Sequence, residues 1–292
     1  MRNRTRAAVL HRLLTHARYE ILPTAKIEGV VAEHLPTGRT VTVTASPAKG
    51  LEATLAMSER LVALGYDVVP HLAARMISGR AELTDIALRL RQAGITTVFV
   101  PAGDAEQPAG PYPGALELLD DLVAIGNPFT EVGITGYPES HPTIHDDVTV
   151  QAMWDKRRHA TQLVSNLTFD PGVLAAWVRR VRARGVTTPL LVGLPGPVER
   201  AKLLSMATKI GVGESTKFLA KNRGMFARIA APGGYDPLRF LGRAAAVLGD
   251  ADDMNVHGLH VFTFNQVIET ETWRSHQLER LERYAADPRA TR

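Results

Sequence analysis

The sequence predicts an α/β fold in which eight parallel strands alternate with helices and close into a (β/α)8 TIM barrel. Three features predict it. Apolar runs short enough for buried strands recur eight times, amphipathic stretches separate them, and a glycine follows several of those stretches. With 292 residues, 45% of them hydrophobic, the chain can bury one full core. We therefore predict one domain over residues 1–292, although the length alone would also suit two smaller ones.

The strand-like runs are rich in β-branched and aliphatic residues, and they lie at 19–23, 40–45, 67–71, 96–101, 132–136, 162–167, 189–195 and 258–264. Between them, apolar residues recur every three or four positions, which predicts helices at 51–64, 80–93, 114–124, 148–160 and 171–183. Glycines stand where a helix C-cap is expected, at Gly65, Gly94, Gly126 and Gly185.

The two ends of the chain and one long gap complete the predicted barrel. Residues 1–16 are basic and amphipathic without a continuous apolar core, so we expect a surface helix and not a signal peptide. The gap at 196–257 is too long for one crossover, and it predicts extra helices at 198–210, 215–229 and 237–248 before the last strand. Residues 266–292 predict a final helix and a polar tail.

An open doubly wound sheet is the alternative architecture. We prefer the barrel because no G-x-G-x-x-G follows a strand, and because polar residues follow nearly every strand instead of meeting at one switch point.

Composition excludes several classes of function. The chain has no cysteine, which excludes disulfides, thiol catalysis and cysteine-ligated metals. It has no run of about 18 apolar residues, so we predict a cytoplasmic protein without a membrane partner. A net charge of +4 is too small and dispersed for nucleic acid, but it suits a cleft for a small anionic substrate. The sequence leaves the oligomeric state open.

Glu20 is the most informative of the polar residues near strand ends. It lies among Tyr19, Ile21 and Leu22 on the first strand, where a carboxyl group should be partly desolvated. A desolvated carboxyl group can keep its proton near neutral pH, as a general acid must. The alternative is a structural ion pair with Arg18 or Lys26.

Asp104 follows Gly103 after the fourth strand, where its carboxylate could accept two N–H bonds from an amidine-like ring edge. The alternative is that Asp104 caps the next helix. His71 and His141 also follow strands, and each could instead be a neutral, hydrogen-bonded histidine. No histidine spacing typical of a metal site includes either of them, so we predict no metal.

Short motifs occur in order along these strands: EILP at 20–23, VTVTAS at 41–46, PHL at 70–72, GD at 103–104, GYPESHP at 136–142, FD at 169–170, GLP at 193–195 and HVFTFN at 260–265. From about Tyr19 to Asn265 the chain resembles the 5,10-methylenetetrahydrofolate reductases. The resemblance implies a TIM-barrel oxidoreductase of one-carbon metabolism that makes the methyl-folate used in methionine biosynthesis.

The resemblance implies roles for five residues at the folate. Glu20 matches the family's general acid, which protonates N10 as the five-membered ring opens. Asp104 matches the aspartate that binds the pterin edge, and Asn166 stands where the family usually has a glutamine. Thr44 and Ser46 match the strand end that approaches the reacting ring.

A second set matches positions along the flavin of the family: His71, Tyr112, Tyr137 and His141. Other flavin positions depart from the pattern. Ala102 replaces the arginine before Gly103-Asp104, and Arg157 and Arg158 occupy the Asp-x-Gly-Ala turn.

The helix before the sixth strand also departs, with Val148, Gln151 and Trp154 near positions that contact the flavin. After the seventh strand, Leu204 replaces a stacking phenylalanine and Arg200 replaces a glutamine.

Because the acid and the pterin aspartate match while much of the flavin cradle does not, our hypothesis is a flavin-independent reductase that uses NADH directly. The dinucleotide phosphates or the folate glutamate would bind to Arg157, Arg158 or Arg200. For Arg157 and Arg158 the alternative is that they lie at a solvated helix end, where a positive charge is favourable. Two other functions stay open: an FAD-dependent reductase with altered contacts, and a barrel that binds folate or a dinucleotide without turnover.

Overall fold

The computed structural model describes residues 2–139, 144–198, 236–248 and 254–286. Its strands are β1 (Ala17–Ile21), β2 (Thr40–Val43), β3 (Asp67–Pro70), β4 (Thr97–Phe99), β5 (Glu131–Gly136), β6 (Gln162–Ser165), β7 (Leu190–Pro195) and β8 (Val256–Phe262). They form one eight-stranded sheet in the order β3-β2-β1-β8-β7-β6-β5-β4. The chain is a (β/α)8 barrel, which confirms the predicted fold class.

The α-helices of the described residues are α1 (Arg2–Thr15), α2 (Ile27–His34), α3 (Gly50–Ala63), α4 (Arg80–Gln92), α5 (Ala115–Ala124), α6 (Asp146–Lys156), α7 (Pro171–Ala183), α8 (Pro237–Leu248) and α9 (Val267–Ala286). A 3-10 turn, Ala74–Met76, precedes α4. No helix in these ranges is both long enough and apolar enough to cross a bilayer.

The predicted elements agree with the structure to within a few residues at each end. The four predicted cap glycines all have positive φ angles: 88° at Gly65, 84° at Gly94, 95° at Gly126 and 82° at Gly185. Each therefore adopts the left-handed conformation that ends a helix, and that glycine reaches without steric cost.

Helix α2 was not predicted. It has only eight residues, its N-cap Lys26 makes no side-chain capping bond, and it contains Gly29, a residue of low helix propensity. Neither propensity nor a capping motif marks such a helix, and it forms by burying Ile27 and Val31. Of the predicted extra helices, 237–248 is confirmed as α8. Apart from Val198, the other two lie outside the described residues.

The chain divides into two compact units. Unit A comprises Arg18–Gly136 and Asp147–Val164, and unit B comprises Met1–Ala17, Tyr137–Asp146 and Ser165–Arg292. That residues 1–292 act as a single domain stays a prediction.

In unit A the strand register places polar side chains at matching levels. Glu20 of β1 pairs with Thr42 of β2, and Thr42 pairs with Val69 of β3. Since successive side chains on a strand alternate between faces, these three share one face of the sheet. Thr44 and His71, two residues further along, point the same way. A parallel bridge from His71 to Phe99 joins the ends of β3 and β4.

Unit B contains a close backbone approach at Gly193 and a buried ion pair on α9. A Cβ at Gly193 of β7 would lie 2.0 Å from the carbonyl oxygen of Ser165, so only glycine fits there. On α9, the Arg274 guanidinium pairs with Glu271 at 2.8 Å and donates to the carbonyl of Leu14 in α1. Both charged side chains are almost fully buried, and each has a partner, as buried charges require.

Candidate active site

Glu20 is a largely buried carboxyl group beside an imidazole. Its side chain is 14% exposed and that of His71 is 9% exposed, and Glu20 Oε2 lies 3.7 Å from His71 Nε2. The side chain of Arg18 pairs instead with Glu131 in unit A, at 3.7 Å. The Glu20 carboxyl group is thus held in a largely buried position beside a ring nitrogen, where a ligand could contact it.

Two hydroxyls on the same face as Glu20 have no hydrogen-bond partner among the described residues. Thr42 Oγ1 and Thr44 Oγ1 are buried, and neither makes a hydrogen bond to any other described residue. Buried hydroxyls in folded proteins nearly always have a partner, which can be a ligand or an ordered water. The two threonines therefore offer hydrogen-bonding groups to a water or a polar ligand against β2.

His71 is fixed from two sides. Its backbone N–H donates to the carbonyl of Val43 at 2.9 Å, and its ring packs on Phe99 with the centroids 4.7 Å apart and the planes tilted by 56°. Ser46 is half-buried, and its carbonyl accepts from Lys49 and Gly50 at the start of α3. These two backbone hydrogen bonds fix the loop between β2 and α3.

Asp104 lies in the loop after β4 and its side chain is exposed. The preceding Gly103 has a φ of 90°, and a Cβ there would lie 2.9 Å from the Cβ of Ala73. The N-cap of α5, the next helix, is Gly114, so Asp104 does not serve as that cap. This exposed carboxylate, after a glycine that no other residue can replace easily, suits a ligand contact.

Tyr112 is 1% exposed, and its hydroxyl donates to Asp121 Oδ2 at 2.7 Å. Burial, and then this hydrogen bond, raise the pKa of Tyr112 to about 12. The hydroxyl is therefore neutral and already satisfied by the protein.

Arg157 and Arg158 follow the end of α6. The Arg157 guanidinium lies 3.3 Å over the Trp154 ring centroid and donates to the Trp154 carbonyl. Arg158 is exposed and pairs with Asp120 at 3.0 Å. Both guanidinium groups thus already have partners within unit A.

The loops after β5 and β6 in unit B are joined by Glu139. Its Oε1 accepts from the backbone N–H groups of Phe169 at 2.6 Å and Asp170 at 2.8 Å. Tyr137 and Asn166 are half-buried in these loops, and Asn166 Oδ1 accepts from the Leu167 N–H. Asp170 in turn caps α7. The side-chain amide of Asn166 is left with its donor end for other partners.

The structure brings together part of the predicted site in each unit. Glu20, Thr42, Thr44 and His71 share one face in unit A. His141, Arg200 and Leu204 lie outside the described residues. In the described part of the chain, no three His, Asp or Glu side chains come close enough to hold a metal ion.

Two contacts were not predicted from the sequence. The Arg75 guanidinium donates to backbone carbonyls of the loop after β4, and Glu139 joins the loops after β5 and β6. Both act on backbone groups of loops distant along the chain, a contact that leaves no local pattern. Glu139 lies in the GYPESHP motif, which predicted a functional loop, but none of the motifs includes Arg75.

Comparison with known proteins decides the family. The model of the family described as methylenetetrahydrofolate reductase matches residues 24–215, which is more than half of the chain. The chain belongs to the methylenetetrahydrofolate reductase family. Membership confirms the resemblance seen in the motifs, and it supports an oxidoreductase function on methylenetetrahydrofolate, with a folate as substrate.

Two solved structures match this reductase-family chain over most of its length. One is a protein described as a lyase/mutase from Burkholderia cenocepacia J2315, with 14% identity and a TM-score of 0.49, covering 98% of this chain and 90% of that one. The other is 2,3-dimethylmalate lyase, a member of the PEP mutase/isocitrate lyase superfamily, with 11% identity and a TM-score of 0.48, covering 95% and 87%. At these values neither match carries an argument about function.

Proposed function

We propose that this protein reduces 5,10-methylenetetrahydrofolate to 5-methyltetrahydrofolate with a hydride taken directly from NADH, without a flavin. The observation that supports this most is the face shared by Glu20, Thr42 and Thr44. A largely buried acid stands beside two buried hydroxyls that have no partner among the described residues. That arrangement suits a polar ligand whose nitrogen must be protonated.

The proposed chemistry begins with Glu20. Its carboxyl proton passes to N10 as the bond between N10 and the methylene carbon breaks, which leaves an iminium ion at N5. A hydride from C4 of the nicotinamide then adds to the methylene carbon and gives the methyl group, while NADH becomes NAD⁺. The Glu20 carboxylate regains a proton from water before the next turnover.

The other residues orient the two substrates. Asp104 accepts N–H bonds from the pterin edge. Asn166 is proposed separately as a folate contact through its side-chain amide. Thr44 and Ser46 lie beside the reacting ring. The positions that match the flavin side of the family would then line the nicotinamide, namely His71, Tyr112, Tyr137 and His141. Because the hydroxyl of Tyr112 is held by Asp121, only its ring could contribute.

A flavin fits the described residues poorly. The flavin phosphates need cationic or N–H donors, and the side chain of Ala102 offers none where the family has an arginine side chain. Arg157 and Arg158 would have to leave Trp154 and Asp120 before they could meet a phosphate. We therefore keep Arg157 and Arg158 only as secondary candidates for the dinucleotide phosphates or the folate glutamate, beside Arg200.

The direct test is anaerobic oxidation of NADH by the purified protein with methylenetetrahydrofolate, with and without added FAD. The visible absorption of the protein is recorded first, because a bound oxidised flavin makes a protein yellow. Turnover by colourless protein that FAD does not change supports direct hydride transfer. A yellow protein, or activity only with FAD, would instead make this an FAD-dependent member of the family.

Replacing the acid tests the mechanism. For Glu20→Gln we expect kcat to fall by about 100-fold or more, since the amide cannot donate an acidic proton, while folate still binds. Glu33→Gln is the matched control, because Glu33 is 76% exposed on α2 and should leave kcat unchanged. Unchanged turnover in Glu20→Gln would remove Glu20 as the acid. Folate binding without turnover in the unmodified protein would favour a binding protein instead.

A further inference from the structure

Arg75 makes an unusual set of contacts to one loop. In unit A its guanidinium donates to three backbone carbonyls: Nε to Ala105 at 2.7 Å, Nη2 to Glu106 at 2.7 Å and Nη1 to Pro113 at 3.0 Å. One side chain thus holds both ends of residues 105–113, the loop that begins directly after Asp104. The fork of a guanidinium can reach three acceptors at once, whereas a lysine ammonium cannot span them.

The backbone of the same segment extends the pairing of β3 with β4 into this loop. The N–H of Leu72 donates to Phe99 at 2.8 Å, that of Ala74 to Pro101 at 3.0 Å, and that of Arg75 to Ala102 at 2.9 Å. Further on, the N–H of Ala109 donates to the carbonyl of Arg75 at 2.9 Å. Residues 72–75 therefore act as a template along which the β4 loop lies.

Two glycines let the loop approach this closely. At Gly103 an added Cβ would lie 2.9 Å from Ala73 Cβ, and at Gly110 it would lie 2.2 Å from the carbonyl oxygen of Ser78. Contacts under 3.0 Å are not tolerated by backbone atoms, so any side chain at Gly110 must displace the loop from the β3 segment.

Asp104 lies between two backbone positions that Arg75 holds, in a stretch, residues 100–114, that no helix or strand includes. The Arg75 N–H donates to the carbonyl of Ala102 before Asp104, and the Arg75 guanidinium donates to the carbonyl of Ala105 directly after it. A displaced loop would therefore carry Asp104 with it.

We propose that Arg75 is a positioning residue for folate binding: it fixes the β4 loop so that the Asp104 carboxylate faces the pterin edge. This inference rests on the proposed function, since it takes the Asp104 ligand to be a folate. Arg75 itself touches neither substrate. Its loss should weaken folate binding while the proton and hydride transfers of a bound substrate proceed.

The test compares Arg75→Lys with Arg91→Lys. Arg91 also donates to a loop carbonyl, that of Pro128 at 2.8 Å, but in the loop that leads into β5. We expect Arg75→Lys to raise the KM and Kd for methylenetetrahydrofolate by about tenfold or more, the cost of a displaced charge-assisted hydrogen bond, with a much smaller change in kcat. Arg91→Lys should leave both constants unchanged.

Amide hydrogen exchange of the same proteins gives a readout that needs no activity. In Arg75→Lys, the amides of residues 105–113 should exchange faster, and in Arg91→Lys they should not. Gly110→Ala is the second variant, because it displaces the loop without altering Arg75. It should raise the folate KM in the same direction, and both variants should retain a cooperative thermal transition.

The outcomes separate the two proposals. A folded Arg75→Lys with an unchanged folate Kd, or with a loss confined to kcat, overturns the positioning role. Faster exchange of the loop with unchanged folate binding shows that Arg75 anchors the loop but does not position a folate ligand, which also overturns it. If the unmodified protein binds folate but does not turn it over, the proposed reaction fails while the effect of Arg75 on Kd still decides the present inference.

Discussion

Lys156, in the last turn of α6, should destabilise the protein at neutral pH. The residue is half-buried, and desolvation lowers the pKa of its ammonium group from 10.5 to about 8. No described residue offers it an ion pair, and no neighbouring charge offsets the desolvation. Burying a charge without a partner costs free energy, so replacing this lysine should stabilise the fold.

The size of the effect follows from the shift. At pH 7 both the folded and the unfolded lysine are charged, and a difference of about 2.5 pKa units corresponds to about 3 kcal/mol, taken as an upper bound. The folded pKa is below the unfolded one, so the unfolded chain holds more protons between pH 8 and 10.5. The penalty is therefore complete below pH 8, shrinks as the pH rises through that window, and is absent above pH 10.5.

Lys156→Met tests this with urea unfolding at pH 7 and pH 10. Methionine keeps the length of the side chain and removes the charge. We expect the free energy of unfolding at pH 7 to rise by about 1–3 kcal/mol, and the gain over the unmodified protein to shrink at pH 10. In a protein of this size that corresponds to a Tm increase of several degrees, roughly 2–4 °C per kcal/mol.

Lys26→Met is the matched control, because Lys26 is exposed and its replacement removes the same charge. It should change the free energy of unfolding by less than about 0.5 kcal/mol at either pH. Destabilisation by Lys156→Met at pH 7, or an equal gain at pH 7 and pH 10, would refute the reasoning from desolvation.

Two further predictions concern the site and the core. Thr42→Val removes the buried hydroxyl beside Glu20 without changing the shape of the side chain. It should leave the Tm unchanged or higher, while kcat/KM for methylenetetrahydrofolate falls about tenfold. An unchanged kcat/KM would mean that no ligand bonds to this hydroxyl. Gly193→Ala should cost about 3 kcal/mol or more, because its Cβ would lie 2.0 Å from the Ser165 carbonyl. Its control Gly242→Ala, on α8 with no atom within 4 Å of the added Cβ, should stabilise by about 0.5–1 kcal/mol, and equal effects in urea would contradict the steric argument.

The strands and most helices of the barrel could be predicted because each has a local signal. A short apolar run predicts a buried strand, and a glycine after an amphipathic stretch, such as Gly65 or Gly94, predicts the end of a helix. Helix α2 was missed because burial of Ile27 and Val31, and not its own propensity, makes it helical.

Part of the candidate site could likewise be predicted from the sequence, and part could not. Glu20, Asp104 and the GYPESHP motif stood out because acidic, aromatic and imidazole groups follow apolar strands. The match over residues 24–215 establishes the family, while the roles of these residues stay predictions. The separation of 3.7 Å between Glu20 and His71 could not be predicted, since 50 residues lie between them and only the register of β1, β2 and β3 sets it.

The sequence by itself determined the barrel, the order of its strands along the chain and the place of Glu20 on the first strand, because these follow from periodicity and residue type within short windows. The tertiary structure alone decided which polar groups meet. It left the hydroxyls of Thr42 and Thr44 without a partner among the described residues, and it placed Arg75 across a loop 30 residues further along the chain. Such contacts join segments that are distant in sequence, and they form only when the packing of strands and loops brings a donor within about 3 Å of its acceptor.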